Sequence, residues 1–163
     1  MKRNPVEIVT TLGLRNGYLL AFFSALFGGL TLMTAVFVYP TVVTLGLGGL
    51  NSFLLGFLAA TGLSLANIFF YYFGAKGREV VQTSKSFTRL STTIVRWLDR
   101  MPDFVIPIFV IFYVGLTPLP NNLLTTSCGL IDYHFKKLII PLYIGNILLM
   151  TILASVPTVF LWV

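Results

Sequence analysis

The chain has 163 residues, of which 56% are hydrophobic and 10% charged, with a net charge of +6; a soluble domain carries about 25% charged residues. Asn16 to Ala75 is a run of 60 residues without a single Asp, Glu, Lys, Arg or His, and no water-facing surface can be built from it. An ordinary soluble enzyme, a disordered regulator and a disulfide scaffold are excluded, the last because Cys128 is the only cysteine, which leaves a single-domain, all-α integral membrane protein.

The positive charge lies in three polar islands, Lys2 to Arg15, Lys76 to Asp103 and Asp132 to Lys137. Islands of this kind flank membrane segments and set their orientation, so nucleic acid is not an expected partner. The apolar stretch after Arg15 outruns the short core of a signal peptide, and no cleavable leader is expected. The first charge-free tract is punctuated by Tyr39-Pro40-Thr41 and by Gly46 to Gly49. It divides into 17–38, read as a transmembrane helix or the first arm of a hairpin, 39–51, a first re-entrant segment, and 52–74, a transmembrane helix.

The linker 76–103 is predicted to be an amphipathic helix. On a helical wheel Arg78, Lys85, Arg89, Arg96 and Arg100 form one stripe opposite Val80, Phe87, Leu90, Ile94, Trp97, Leu98 and Met101. Such a helix lies in the membrane interface with its basic stripe toward anionic headgroups, and its six basic against three acidic residues put it on the cytoplasmic side.

The next tract, 104–131, has Thr117-Pro118-Leu119-Pro120-Asn121-Asn122 at its middle. Two prolines one residue apart forbid a continuous regular helix there. The arms on either side are each too short to cross, which predicts a second re-entrant hairpin; a single kinked span is the alternative. A final transmembrane helix is expected over 138–162. The order Pro40, Gly48, then a helix with Gly62 and Asn67, parallels Pro120, Gly129, then a helix with Gly145 and Asn146. Interrupted segments at related places in two halves point to an inverted-repeat, half-transporter-like fold with two re-entrant helical hairpins.

Helix N-termini at Thr41 and Asn121 would present unpaired N–H groups at mid-membrane and favour an anion. With Pro40, Asn67, Thr117, Pro118, Pro120, Asn122, Thr125, Thr126 and Asn146 they make a candidate substrate-binding set of neutral character. The alternative role of the same residues is helix capping and interhelical hydrogen bonding. Ser64, Asn67 and Tyr71 share one face of their helix. Nothing suggests an enzyme, a metal or a cofactor: His134 stands alone beside Asp132, and Cys128 has no catalytic neighbour in sequence.

The runs YPTVVTLGLGG, YYFGAKGRE and YVGLTPLPNNLLTTSCGLIDYHFKKLIIPLYIGN, covering about Tyr39 to Ala154, resemble the VTT domain of the DedA and SNARE-associated Golgi protein superfamily. The resemblance implies opposed re-entrant hairpins and movement of phospholipid or polyprenyl phosphate between leaflets, in the cell membrane, by a scramblase- or flippase-like route. Many bacterial members carry Glu after the first proline and Arg around the second. Here Thr41 occupies the first position and Gly115 to Asn122 has no Arg, as in the eukaryotic scramblase-like branch. All five acidic residues lie in the polar islands, which favours passive exchange over proton coupling. The expected partners are anionic or phosphate-bearing membrane lipids and a second copy in a homodimer. The competing readings are a non-transporting assembly or lipid-binding factor and a small-molecule or ion exporter.

Overall fold

A computed structural model describes residues 5–31, 34–81, 102, 104–117 and 121–160. Every regular element among them is an α-helix: α1 (Pro5–Gly29), α2 (Thr34–Leu47), α3 (Ser52–Val81), α4 (Val105–Leu116), α5 (Asn121–Leu130) and α6 (Phe135–Phe160). The greater part of the amphipathic linker, including Lys85, Arg89, Arg96 and Arg100, lies outside the described residues, as do Pro118 and Pro120.

The local signals explain most boundaries. After α2 the chain turns on Gly49, whose φ of 80° is a left-handed conformation that suits a residue without Cβ. Asn51 then caps α3, its Oδ1 accepting from the Leu54 N–H at 3.0 Å. At the end of α5 the Tyr133 N–H reaches back to the Cys128 carbonyl at 2.9 Å, with Asp132 left-handed at φ 62°. That is a Schellman stop with aspartate in the position usually taken by glycine or asparagine.

The first half of the chain corrects the expected boundaries. The break falls after Gly28-Gly29, so 17–38 is not one continuous arm, and 39–51 is not a separate re-entrant segment but largely the second half of α2. Pro40 sits inside α2 and is exposed. One residue on, Thr41 Oγ1 donates to the Phe37 carbonyl at 2.7 Å, an extra bond beside the place where the proline N–H is missing.

Two long helices form the axis. Ser52–Arg78 and Phe135–Val156, with mean hydropathies of 1.9 and 2.1, are long and apolar enough to cross a membrane. They run antiparallel. Ser52 Oγ donates to the Ala154 carbonyl at 3.2 Å at one end, and the Tyr72 and Phe135 rings lie 5.5 Å apart at the other. Between these, Tyr143 and Thr61 join through their hydroxyls at 3.0 Å.

The other four helices pack against this axis as two hairpins, α1 with α2 and α4 with α5; in the second, the two arms lie on α6 and α3 and make little contact with each other. From Gly17, beside Leu50, α1 rises along α3 until Gly29 meets Leu63 and Ala66; α2 returns, with Val38 against Gly28 and Gly46 against the Ala154 carbonyl. At the opposite end, α4 packs Ile106, Val110 and Val114 with Leu138 and Leu142, and its last turn lies beside Gly145. From there α5 runs back alongside α3 to Asp132, whose carboxylate pairs with Arg78 at 2.7 Å. Each hairpin therefore covers one half of the axis, and both reverse near its middle.

Two apolar clusters follow from this division. Ala21, Ala25, Val38, Val42, Leu55, Ala59, Leu63, Met150 and Ala154 pack around the first hairpin. Tyr71, Ile106, Val110, Val114, Leu138 and Leu142 pack around the second. Backbones approach closely wherever glycine faces a neighbour: a Cβ on Gly74 would strike the Thr126 carbonyl, and one on Gly129 the Tyr71 carbonyl. Outward positions are equally apolar, with Phe27 63%, Phe53 65% and Phe73 63% exposed. Substituting Gly129→Leu is expected to destabilise the fold by about 1–3 kcal/mol or more through overpacking. Thermal unfolding in detergent checks this against Gly13→Leu, a site with no atom within 4 Å of the added Cβ and no expected loss.

Candidate functional site

Where the hairpins reverse, six polar side chains are buried: Ser64 and Asn67 on α3, Asn121, Asn122 and Thr125 on α5, and Asn146 on α6. They belong to neither apolar cluster and form a belt between the two. Burying amides among hydrocarbon side chains is costly unless they find partners, and the belt is organised by that requirement. Asn121 Nδ2 donates to Asn146 Oδ1 at 2.9 Å, and Asn146 Nδ2 donates to Ser64 Oγ at 2.9 Å. This chain of amides joins α5, α6 and α3.

Asn122 makes the connection between hairpins. Its Nδ2 donates to the Gly29 carbonyl at 2.8 Å and to the Thr31 carbonyl at 2.9 Å. These oxygens belong to the end of α1, where helical carbonyls have no intrahelical partner. The second hairpin thus caps the first across 93 residues of sequence. Because only an N–H can meet two carbonyls, the orientation of the Asn122 amide is fixed and its Oδ1 faces elsewhere.

The remaining sequence-predicted residues divide. Thr125 is buried, but its hydroxyl folds back onto its own helix, to the Asn121 and Asn122 carbonyls at 3.1 and 3.2 Å. Thr126 is half-buried, and its carbonyl lies against Gly74. Thr117 closes α4 with its hydroxyl on the Tyr113 carbonyl. Pro40 and Thr41 stand apart from the belt. Thr41 does not begin a helix as expected: it lies inside α2 with its hydroxyl on the Phe37 carbonyl. Arg78, expected to face lipid headgroups, pairs with Asp132. Asn67 is fully buried, and neither atom of its amide has a hydrogen-bond partner among the described residues.

The expected anion-cradling groove is not open in this conformation. Asn67, Asn122, Thr125 and Asn146 are at most 1% exposed, and Asn121, Asn122 and Asn146 each donate to a protein oxygen. A groove of about 250 Å³ reaches the belt at Ser64 and is lined by Thr61, Leu65, Ile68, Ile139, Ile140 and Tyr143 as well. Its walls are aliphatic. Ser64 links it to the amide chain, and the Thr61 hydroxyl, committed to the Phe57 carbonyl at 2.8 Å, accepts from Tyr143.

The chain matches no family model, no curated protein and no solved structure. The reading of the site therefore rests on its own geometry.

The Gly29 and Thr31 carbonyls were missed by sequence reasoning, although a signal exists. Gly29-Leu30-Thr31 recurs as Gly115-Leu116-Thr117, and each triplet stands where the first arm of a hairpin ends. Aligning on that triplet, rather than on Pro40 and Pro120, gives the first turn its correct place. Removal of Asn146 tests the belt: Asn146→Leu leaves Asn121 Nδ2 and Ser64 without their buried partner, at an expected cost of about 1–3 kcal/mol. The triple change Ser64→Ala, Asn121→Leu, Asn146→Leu removes all three polar groups and is expected to recover part of that loss in the same unfolding measurement.

Proposed function

We propose that the chain is an integral membrane protein whose two hairpins enter the bilayer from opposite faces, meet at its middle, and part to let lipid exchange between leaflets. The observation that carries this reading is the bond from Asn122 to the Gly29 and Thr31 carbonyls, which joins the turning ends of the two hairpins. A backbone that reverses inside hydrocarbon must be buried in protein, and each hairpin meets that requirement through the other.

Three further features support it. The exterior is apolar around the axis, from Phe23 and Phe27 on α1 to Phe109 and Phe112 on α4. Ser64 with Asn146 and Thr61 with Tyr143 are bonded pairs, both 82 residues apart. Direct contacts between residues at a common offset are what counterparts beside a pseudo-two-fold axis make, so α1–α3 and α4–α6 are read as an inverted repeat. Finally, the sequence resembles the VTT domain, and that resemblance implies opposed re-entrant hairpins.

The mechanism follows from the closed belt. An open groove would bring neutral amides and hydroxyls to the lipid-facing surface beside Ser64, giving a headgroup polar contacts while its acyl chains stay in the bilayer. No carboxylate occupies the described belt, so the exchange is passive and runs down a gradient. The end carrying Arg78, Lys136 and Lys137 is cytoplasmic by the positive-inside rule, in the cell membrane.

Two measurements test the proposal. Protein reconstituted in liposomes is expected to equilibrate labelled phospholipid between leaflets, and the double change Asn121→Leu, Asn122→Leu to abolish the exchange. Folded protein that moves no lipid removes the reading and leaves a non-transporting assembly factor. Topology gives an independent check: with Cys128→Ser, a cysteine at Asn16 is expected to label from the side opposite a cysteine at Lys136, because α1 is a hairpin arm. Labelling of both from one side contradicts two opposed hairpins.

A further inference from the structure

The seam between α3 and α6 carries a second set of features on its outer side. The groove of about 250 Å³ has aliphatic walls there, Leu65 and Ile68 on α3 and Ile139 and Ile140 on α6. One turn from these walls, toward the Arg78 end, the Tyr72 and Phe135 rings approach within 5.5 Å across the same seam. Two exposed lysines stand beside that ring pair. At about 100° per residue Lys76 lies within about 20° of Leu65 around α3, and Lys136 falls between Ile139 and Ile140 around α6. Neither lysine has an acidic partner among the described residues, whereas Arg78 is paired with Asp132 beyond the end of α5.

We infer that this seam is a docking site for one anionic phospholipid of the leaflet at the Arg78 end, with an acyl chain in the groove and the phosphate between Lys76 and Lys136. The spacing carries the argument. Lys76 stands about 18 Å along α3 from Ser64, and Lys136 about 15 Å along α6 from Asn146, close to half of the ~30 Å hydrocarbon core. With the bonded Ser64–Asn146 pair at mid-bilayer, as the two-hairpin reading places it, both ammonium groups extend to the headgroup level and the groove occupies the acyl region beneath them. Aliphatic walls offer nothing to a free anion, and lysines offer nothing to hydrocarbon. A molecule that joins an anion to a chain at this spacing satisfies both, and a lysine ammonium is a point charge well suited to phosphate. A zwitterionic headgroup brings a cation of its own to the same place and gains less. The inference uses the proposed depth of the belt and does not depend on whether lipid crosses the membrane.

The test is thermal unfolding of the full chain in detergent with added phosphatidylglycerol, phosphatidylcholine or inorganic phosphate at equal ionic strength. A ligand bound by the native state alone raises the unfolding temperature. Phosphatidylglycerol at about a hundredfold excess over its dissociation constant is expected to raise it by roughly 5–10 °C, phosphatidylcholine by less and inorganic phosphate not at all. Lys136→Gln is expected to remove most of the difference between the two lipids, whereas Lys137→Gln, the same loss of charge turned about 100° off the seam, leaves it. Ile140→Trp fills the groove from an exposed position and is expected to lower the stabilisation by both lipids. Equal losses in Lys136→Gln and Lys137→Gln indicate attraction by net charge alone and overturn the inference. A response to inorganic phosphate as large as that to phosphatidylglycerol, or full stabilisation retained in Ile140→Trp, overturns it as well. A groove covered by a second copy of the chain gives an unfolding temperature that rises with protein concentration and not with lipid, which also contradicts it. Lipid exchange in liposomes is read separately: stabilisation without exchange removes only the proposed function, and exchange without headgroup preference removes only this inference.

Discussion

The structure depends on how carbonyl groups at the end of a helix are satisfied away from water. The last turn of α1 ends on Gly28-Gly29, and its carbonyls need donors at a level where the neighbours are largely aliphatic. The Asn122 amide supplies them to Gly29 and Thr31. Since Asn122 is the second residue of α5, this one side chain fixes the relative height of two hairpins distant in sequence. Asn121 fixes the same turn to α6 and, through Asn146, to α3. Adjacent positions on one helix thus serve different partners because they diverge by 100° about its axis.

Packing turns this polar junction into a fold. The small residues Gly62, Gly74 and Gly129 let α3 approach α1 and α5 until backbone meets backbone, and Gly145 does the same for α6 and α4. Such close contact gains dispersion energy without needing water to drive it, as helices surrounded by lipid require. The two apolar clusters then lie on either side of the asparagine belt.

Much of this was legible in the residues, and the misreadings have physical causes. The long charge-free runs contain α3 and α6, the two described helices long and apolar enough to cross a membrane, and positions 118 and 120 fall between α4 and α5. Asn121 and Asn122 are legible as donors at a helix start after the paired prolines, Asn67 from the helix face it shares with Ser64, and Asn146 as its counterpart in the second half. Pro40 misled, since the helix continues through it despite the missing N–H, with the proline on an exposed face. The true turn is marked by Gly-Gly and a repeated Gly-Leu-Thr, a weaker signal than proline. The direction of each amide was not legible at all. Composition does not say which amide atoms find partners, and only the fold decides that Asn122 spends its N–H groups on Gly29 and Thr31 while both atoms of the Asn67 amide are left unpartnered among the described residues.

The central claim is that the two hairpin turns meet at the middle of the axis. Pulsed electron paramagnetic resonance tests it most directly, with nitroxides at Leu30→Cys and Leu123→Cys in protein carrying Cys128→Ser and reconstituted in liposomes. Both positions are exposed and adjoin the contact without removing Asn122 or Gly29. The account predicts a distance well short of the ~30 Å thickness of the hydrocarbon core. A distance approaching that thickness, as for turns held at opposite surfaces of the bilayer, would contradict it.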